Sequence, residues 1–130
     1  MTFTSWILFE AGSIYVFDRG YLDFTRLFRI ESANAYFVIR AKSNMRFSLC
    51  KSRPVDKSCG LRCDQTIRLR TYKSKRDYPK KLRRISFFDT VTRKRLVFLT
   101  NHFDLPAQAI AAIYKRRWQI ELFFKWIKQN

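Results

Sequence analysis

Apolar residues recur at two different spacings along this chain, and the changes from one to the other mark its elements. Ser13 to Phe17 is a short apolar run rich in β-branched and aromatic residues, ending at Asp18. It predicts a buried strand, with Gly20 turning the chain just beyond. From Tyr21 to Ser32 the apolar positions Leu22, Leu27, Phe28 and Ile30 keep to one side of a helix. Ala35 to Ala41 then reads as a second buried strand. Strand, helix and strand in such close succession predict a right-handed parallel βαβ unit.

Strict alternation takes over in the middle of the chain. Thr66 to Tyr72 places Ile67 and Leu69 inward and Arg68 and Arg70 outward, as a half-buried strand requires. Arg84 to Asp89 and Arg95 to Thr100 read as two strands joined across Thr90 to Lys94, a hairpin. The stretches around Pro54 and from Lys73 to Lys81 are polar and read as loops. Asp104 is a candidate N-cap, with Pro106 in the first turn of a helix that runs from about Ala107 to the end.

That last helix carries the chain's most specific chemistry. Tyr114, Arg117, Glu121 and Lys128 lie within roughly 60° of one another at about 100° per residue. Ile113, Ile120, Phe124 and Ile127 form an adjoining apolar stripe. One carboxylate among cations, beside a buried face, suits a metal-and-phosphate site. On spacing alone it equally suits a salt-bridged surface helix, since Arg117 and Glu121 are an i,i+4 pair.

Composition narrows the choice. The chain has 130 residues, room for one domain with one modest core, and 47% hydrophobic residues including 13 Phe, so it is a folding sequence. Its formal net charge of +17 favours a polyanion partner, with nucleic acid ahead of a membrane surface. Between Lys42 and Arg95 lie 18 of the 27 basic residues against four acids, Asp56, Asp64, Asp77 and Asp89. Repeated Arg on one face of successive strands favours phosphate contact over a merely solvated face. No run approaches a membrane span, and the start MTFTSWILFE lacks a basic leader, so a cytoplasmic protein without membrane contact is expected. The three cysteines, Cys50, Cys59 and Cys63, read as free thiols, and the lone His102 has no zinc-finger spacing to them.

The blocks just described resemble a known family. Tyr114, Arg117, Glu121 and Lys128 match the Tyr-x2-Arg-x3-Glu-x6-Lys signature of bacterial insertion-sequence transposases of family four, a branch of the DDE transposases. Val16-Phe17-Asp18-Arg19-Gly20-Tyr21 resembles the segment around that family's second catalytic aspartate. Tyr36 to Lys42 resembles the strand after it, and Leu99-Thr100-Asn101 the short strand leading into the glutamate helix. The four blocks occur in family order over nearly the whole chain.

The resemblance implies an α/β fold, a partial ribonuclease H-like fold with a β-rich basic insertion between the second Asp and the Glu helix. Residues 13–41 would be the core strand–helix–strand, 42–95 the insertion, and 96–130 a strand and the Glu helix. It implies cleavage and transfer of DNA strands, with Asp18 and Glu121 as catalytic residues and ligands of Mg²⁺, Mn²⁺ being the alternative. Arg117 and Lys128 would grip phosphates, Tyr114 would meet a phosphate or a displaced base, and Arg19 and Tyr21 would steer the strand end. Trp118 is either a stacking platform or a core residue, and Arg68 and Arg70 would meet the DNA backbone. The partners implied are transposon ends and target DNA, with a homo-oligomer in the complete transposase. One departure stands out: the family's first catalytic aspartate has no counterpart, because Glu10 is the only acid before Asp18. A C-terminal fragment, inactive alone, is therefore expected, and a catalytically dead basic DNA-binding module is the alternative.

Overall fold

The computed structural model describes residues 9–18, 23–42 and 44–116. In chain order its elements are β1 (Ile14–Phe17), α1 (Phe24–Ser32), β2 (Tyr36–Ala41), β3 (Phe47–Arg53), a 3-10 turn (Lys57–Cys59), β4 (Leu61–Leu69), α2 (Tyr72–Asp77), β5 (Leu82–Asp89) and β6 (Lys94–Thr100). A helix over residues 107–116, here α3, follows. The strands form one six-stranded sheet in the order β1-β2-β6-β5-β4-β3. The first pair is parallel, with Ile14 opposite Tyr36 and Phe17 opposite Ile39, and every other pair is antiparallel. The expected parallel strand–helix–strand unit is therefore present, and the basic segment continues the same sheet through β6.

Alternation along the strands sends side chains to two cores, one on each face. Phe37, Ile39, Val97, Leu99, Ile67 and Leu82 pack under Leu27 and Ile30 of α1 and Tyr78 behind α2. Val38, Phe98, Ile85 and Phe87 face the other way, against Ala107, Ile110, Ala111 and Tyr114 of α3. β2 is buried on both faces, which explains its unbroken apolar run. α1 begins where Asp23 caps it, accepting from the Thr25 and Arg26 N–H groups. The expected first turn of that helix, Tyr21 and Leu22, lies outside the described residues.

Three expectations need correction. Residues 72–77 are a short helix where a loop was expected; they are rich in Lys and Arg, which favour helix once Leu69 has ended β4. β3 escaped the pattern reading because a bulge between Leu49 and Lys51 shifts its register against β4, so its alternation changes face midway. Asp104 does not cap α3: the Ala109 and Ile110 N–H groups both donate to the Pro106 carbonyl, two residues later. Gly60 fits its place closely. It sits at φ +98°, and a Cβ there would come within 2.7 Å of the Phe88 carbonyl oxygen.

Tyr78 is the least satisfied part of the α1-side core. Its ring is 1% exposed and meets Phe28 and Phe37 edge-on, but its hydroxyl has no hydrogen-bond partner among the described residues. Burial, reinforced by the nearby Glu31 carboxylate, pushes the phenol's pKa well above its ordinary value. A group whose native pKa is raised contributes stability that is complete below its unfolded pKa, about 10, and is lost as pH climbs toward the native value. Tyr78→Phe should therefore unfold at the same or a slightly higher temperature at pH 7, and lose less between pH 9 and 11 than the parent. A loss above about 1 kcal/mol at pH 7 would mean that the hydroxyl is paired after all.

Candidate active site and nucleic-acid interface

Asp18 stands directly after β1, whose Ile14 and Val16 pack on the α3 side and whose Tyr15 and Phe17 pack on the α1 side. The period of two therefore carries Asp18 to the α3 side. There the Tyr114 hydroxyl donates to its Oδ1 at 3.3 Å. Tyr114 is 1% exposed and its ring lies 4.9 Å from that of Phe98. The ring itself packs in the core on that side of the sheet. What Tyr114 does is hold the carboxylate at the end of β1 against α3.

The surroundings of this contact are cationic. Phe17 opposite Ile39 brings Asp18 level with Arg40, which opposes Phe98 of β6. Arg40, Lys94 and Lys115 line a pocket of about 260 Å³ with Leu96, Thr92, Asp89 and Tyr114 itself. Asp89 is the one acid among the described residues that line it. It accepts from the Thr92 hydroxyl, the Val91 N–H and, at 3.5 Å, the Lys115 ammonium. The Thr92 hydroxyl above all, with the Val91 N–H and Lys115 adding to it against the cost of desolvation, holds its carboxyl below the usual carboxylate range. Lys115 also sits 4.4 Å over the Phe87 ring. Arg40 forms no ion pair with any described residue.

Arg68 and Arg70 are exposed as expected, but the sheet does not bring them to Asp18. The row level with Asp18 runs through Arg40, Phe98, Ile85 and Asp64. Arg68 is four residues beyond Asp64, and β4 is four strands from β1. At about 3.3 Å per residue and 4.8 Å per strand, that places Arg68 more than about 20 Å from Asp18. Arg70 lines a separate hollow with Arg46 and Thr71. Not all of the basic segment faces solvent either. Arg83 is 3% exposed and Arg84 7%, the latter donating to Gln65 and stacked 4.8 Å from the Phe47 ring.

Sequence reasoning also passed over the residues that launch α3. The Asn101 side chain accepts from the Phe37 N–H and donates to the Ala35 carbonyl and to Glu31. His102 Nδ1 accepts from the Asp104 and Leu105 N–H groups, and its ring lies 4.3 Å from Tyr36. Arg83 donates to the carbonyls of His102 and Leu105. A signal was available: Arg83 shares its face of β5 with Ile85 and Phe87, an inward position where a cation demands a partner. Among the described residues no group of three or more His, Cys, Asp or Glu side chains could hold a metal, and the three cysteines are free. Arg19, Tyr21, Arg117, Trp118, Glu121 and Lys128 lie outside the described residues. No helix among the described residues is long and apolar enough to cross a membrane.

The profile of the transposase DDE domain matches residues 3–130. A protein of Sinorhizobium fredii named as a transposase is 41% identical over 95% of this chain and 35% of its own length. One from Geobacillus stearothermophilus, named as the transposase for insertion sequence element IS5377, is 34% identical over 94% of this chain and 32% of its own. The chain belongs to the DDE transposase family, and it spans about a third of the length of these curated relatives.

The Tyr114–Asp18 contact is directly measurable. Tyr114→Phe keeps the ring against Phe98 and removes only the phenol, so it should cost about 1–2 kcal/mol of stability, as for a hydrogen bond to a charged acceptor. In a double-mutant cycle with Asp18→Ala, unfolded in urea, a coupling of about 1 kcal/mol is expected. Strict additivity would show that the two side chains do not interact in solution.

Proposed function

We propose that this chain supplies catalytic residues of an insertion-sequence transposase of family four, acting on transposon ends and target DNA in the bacterial cytoplasm. The observation that carries the reading is Asp18, fixed at the end of β1 by Tyr114 of α3, with Glu121 seven residues further along the chain. On this reading Asp18 and Glu121 are the second and third carboxylates of a partial ribonuclease H-like fold, in which 13–41 is the core unit, 42–95 the basic insertion and 96–130 the strand and Glu helix.

Asp18 offers the hard oxygen donors that Mg²⁺ or Mn²⁺ prefers, so its chemistry fits such an ion. Asp18 and Glu121 would hold it, and when bound it supplies activation of an attacking oxygen and stabilisation of a leaving one. The chain's own side chains do the rest. Tyr114 orients Asp18. Arg40, Lys94 and Lys115 make the surroundings favourable to the phosphodiester backbone, while Arg117 and Lys128 grip phosphates and Arg19, Tyr21 and Trp118 guide the strand end. Arg68 and Arg70 meet backbone more than about 20 Å away, some six base pairs along a duplex at about 3.4 Å per pair. Within these 130 residues only two of the family's three carboxylates have counterparts, so the chain is proposed to bind DNA without cutting it on its own.

The test is binding of a labelled duplex, followed by anisotropy between 50 and 200 mM salt with Mg²⁺ present. Affinity should fall steeply with salt, and the duplex should stay intact. Arg68→Ala with Arg70→Ala should flatten the slope of log affinity against log salt by about 1–2, near 0.9 for each lost phosphate contact. An unchanged slope would remove both arginines from the interface, and salt-independent binding would remove DNA as the partner.

A further inference from the structure

The basic segment hides a buried ion pair that reaches into the helix carrying Tyr114. Arg83 Nε donates to Asp64 Oδ1 at 2.9 Å and Nη2 to Asp64 Oδ2 at 2.8 Å, a two-pronged pair with both side chains shielded from water. Its Nη1 donates to two backbone carbonyls, of His102 at 3.0 Å and of Leu105 at 2.6 Å. Four of the guanidinium's five N–H groups are thus committed, two to a neighbouring strand and two to the loop in front of α3. Asp64 is fixed in turn by Arg53, which also donates to Thr66. The whole cluster lies on the α3 side of the sheet, since Asp64 opposes Ile85 and Thr66 opposes Arg83.

We propose that Arg83, held by Asp64, is a positioning residue for the site at Asp18: its planar fork sets where, and at what rotation, α3 leaves the sheet. The reasoning is geometric. Leu105 precedes Tyr114 by nine residues, about 13 Å of helix, so the loop and the Tyr114 hydroxyl are the two ends of one rod. A slip of one residue at the loop would turn Tyr114 by about 100° and take its hydroxyl off Asp18. Apolar packing along Ala107, Ile110 and Ala111 holds α3 to the sheet, but two of these three side chains are single methyl groups with little shape to key its rotation. The two carbonyl contacts supply the missing constraint. His102 Nδ1, which accepts from Asp104 and Leu105, keeps the same loop closed so that both carbonyls converge on one nitrogen. A lysine carries the same charge but not the fork, and cannot serve Asp64 and both carbonyls together. The proposal rests on the reading of Asp18 as a working residue only for its consequence, since the placement of α3 is observable without DNA or metal.

Hydrogen exchange and labelled-tyrosine NMR on the 130-residue chain test it. Arg83→Lys should speed exchange of the amides of residues 109–114 at least tenfold relative to those of 27–32 in α1, and should shift the Tyr114 ring signal, identified with Tyr114→Phe. Arg84→Lys is the control: Arg84 is comparably buried, but its contacts to Gln65, Cys63 and Phe47 lie on the other face. It should leave α3 and the Tyr114 signal where they are. Should Arg83→Lys fail to fold, Asp64→Asn loosens the guanidinium without removing it and is read on the same amides. Uniform acceleration in every element, or an α3 response as large for Arg84→Lys as for Arg83→Lys, would overturn the proposal and leave the Asp18 reading untouched. Normal α3 exchange in Asp64→Asn would do the same.

Discussion

Everything in this chain hangs from the pairing of β2. It is buried on both faces and bonded on both edges, to β1 in parallel and to β6 in antiparallel register. The parallel edge requires a crossover, which α1 supplies, and leaves the end of β1 level with Arg40. The antiparallel edge lets the basic segment return through β6, so that β3, β4 and β5 extend the sheet without a new core on each side. One register therefore fixes both where Asp18 stands and which cations stand near it.

The second constraint is polar. A buried Arg–Asp pair is costly to desolvate and is a poor source of net stability, yet breaking one costs about 3–5 kcal/mol because the survivor is left uncompensated. Arg83 and Asp64 thus make other placements of the α3 loop expensive, where apolar packing alone would tolerate several. Asn101 and His102 add polar constraints of the same kind: Asn101 ties the end of β6 to backbone groups at the start of β2, and His102 closes the turn before α3.

Much of this fold was legible in the sequence because the strongest elements obey a single period. The runs before Asp18 and through Ala41, and the alternating hairpin from Arg84 to Thr100, declare themselves in that way. β3 was not legible, since its bulge breaks the alternation, and the helix at Tyr72–Asp77 is too short to show a period. At the proposed site, Asp18 was singled out by resemblance alone, and the structure adds a hydrogen bond to it from Tyr114. The sequence left Tyr114 open between packing and contact, because a tyrosine on a helix stripe reads the same whether its hydroxyl meets a phosphate or a neighbouring carboxylate. The count of basic residues says nothing of which are buried. Arg83 and Arg84 belong to the basic segment yet are both buried, and alternation with Ile85 and Phe87 already put Arg83 inside.

In the proposed reading, Asp18 and Glu121 hold one divalent ion between them. Crystals of the chain soaked in Mn²⁺ and measured for anomalous scattering test it most directly. The expected result is a peak with carboxylate oxygens of both residues at about 2.1 Å. A peak bound by neither residue, or the two carboxylates on opposite faces of the sheet, would contradict it.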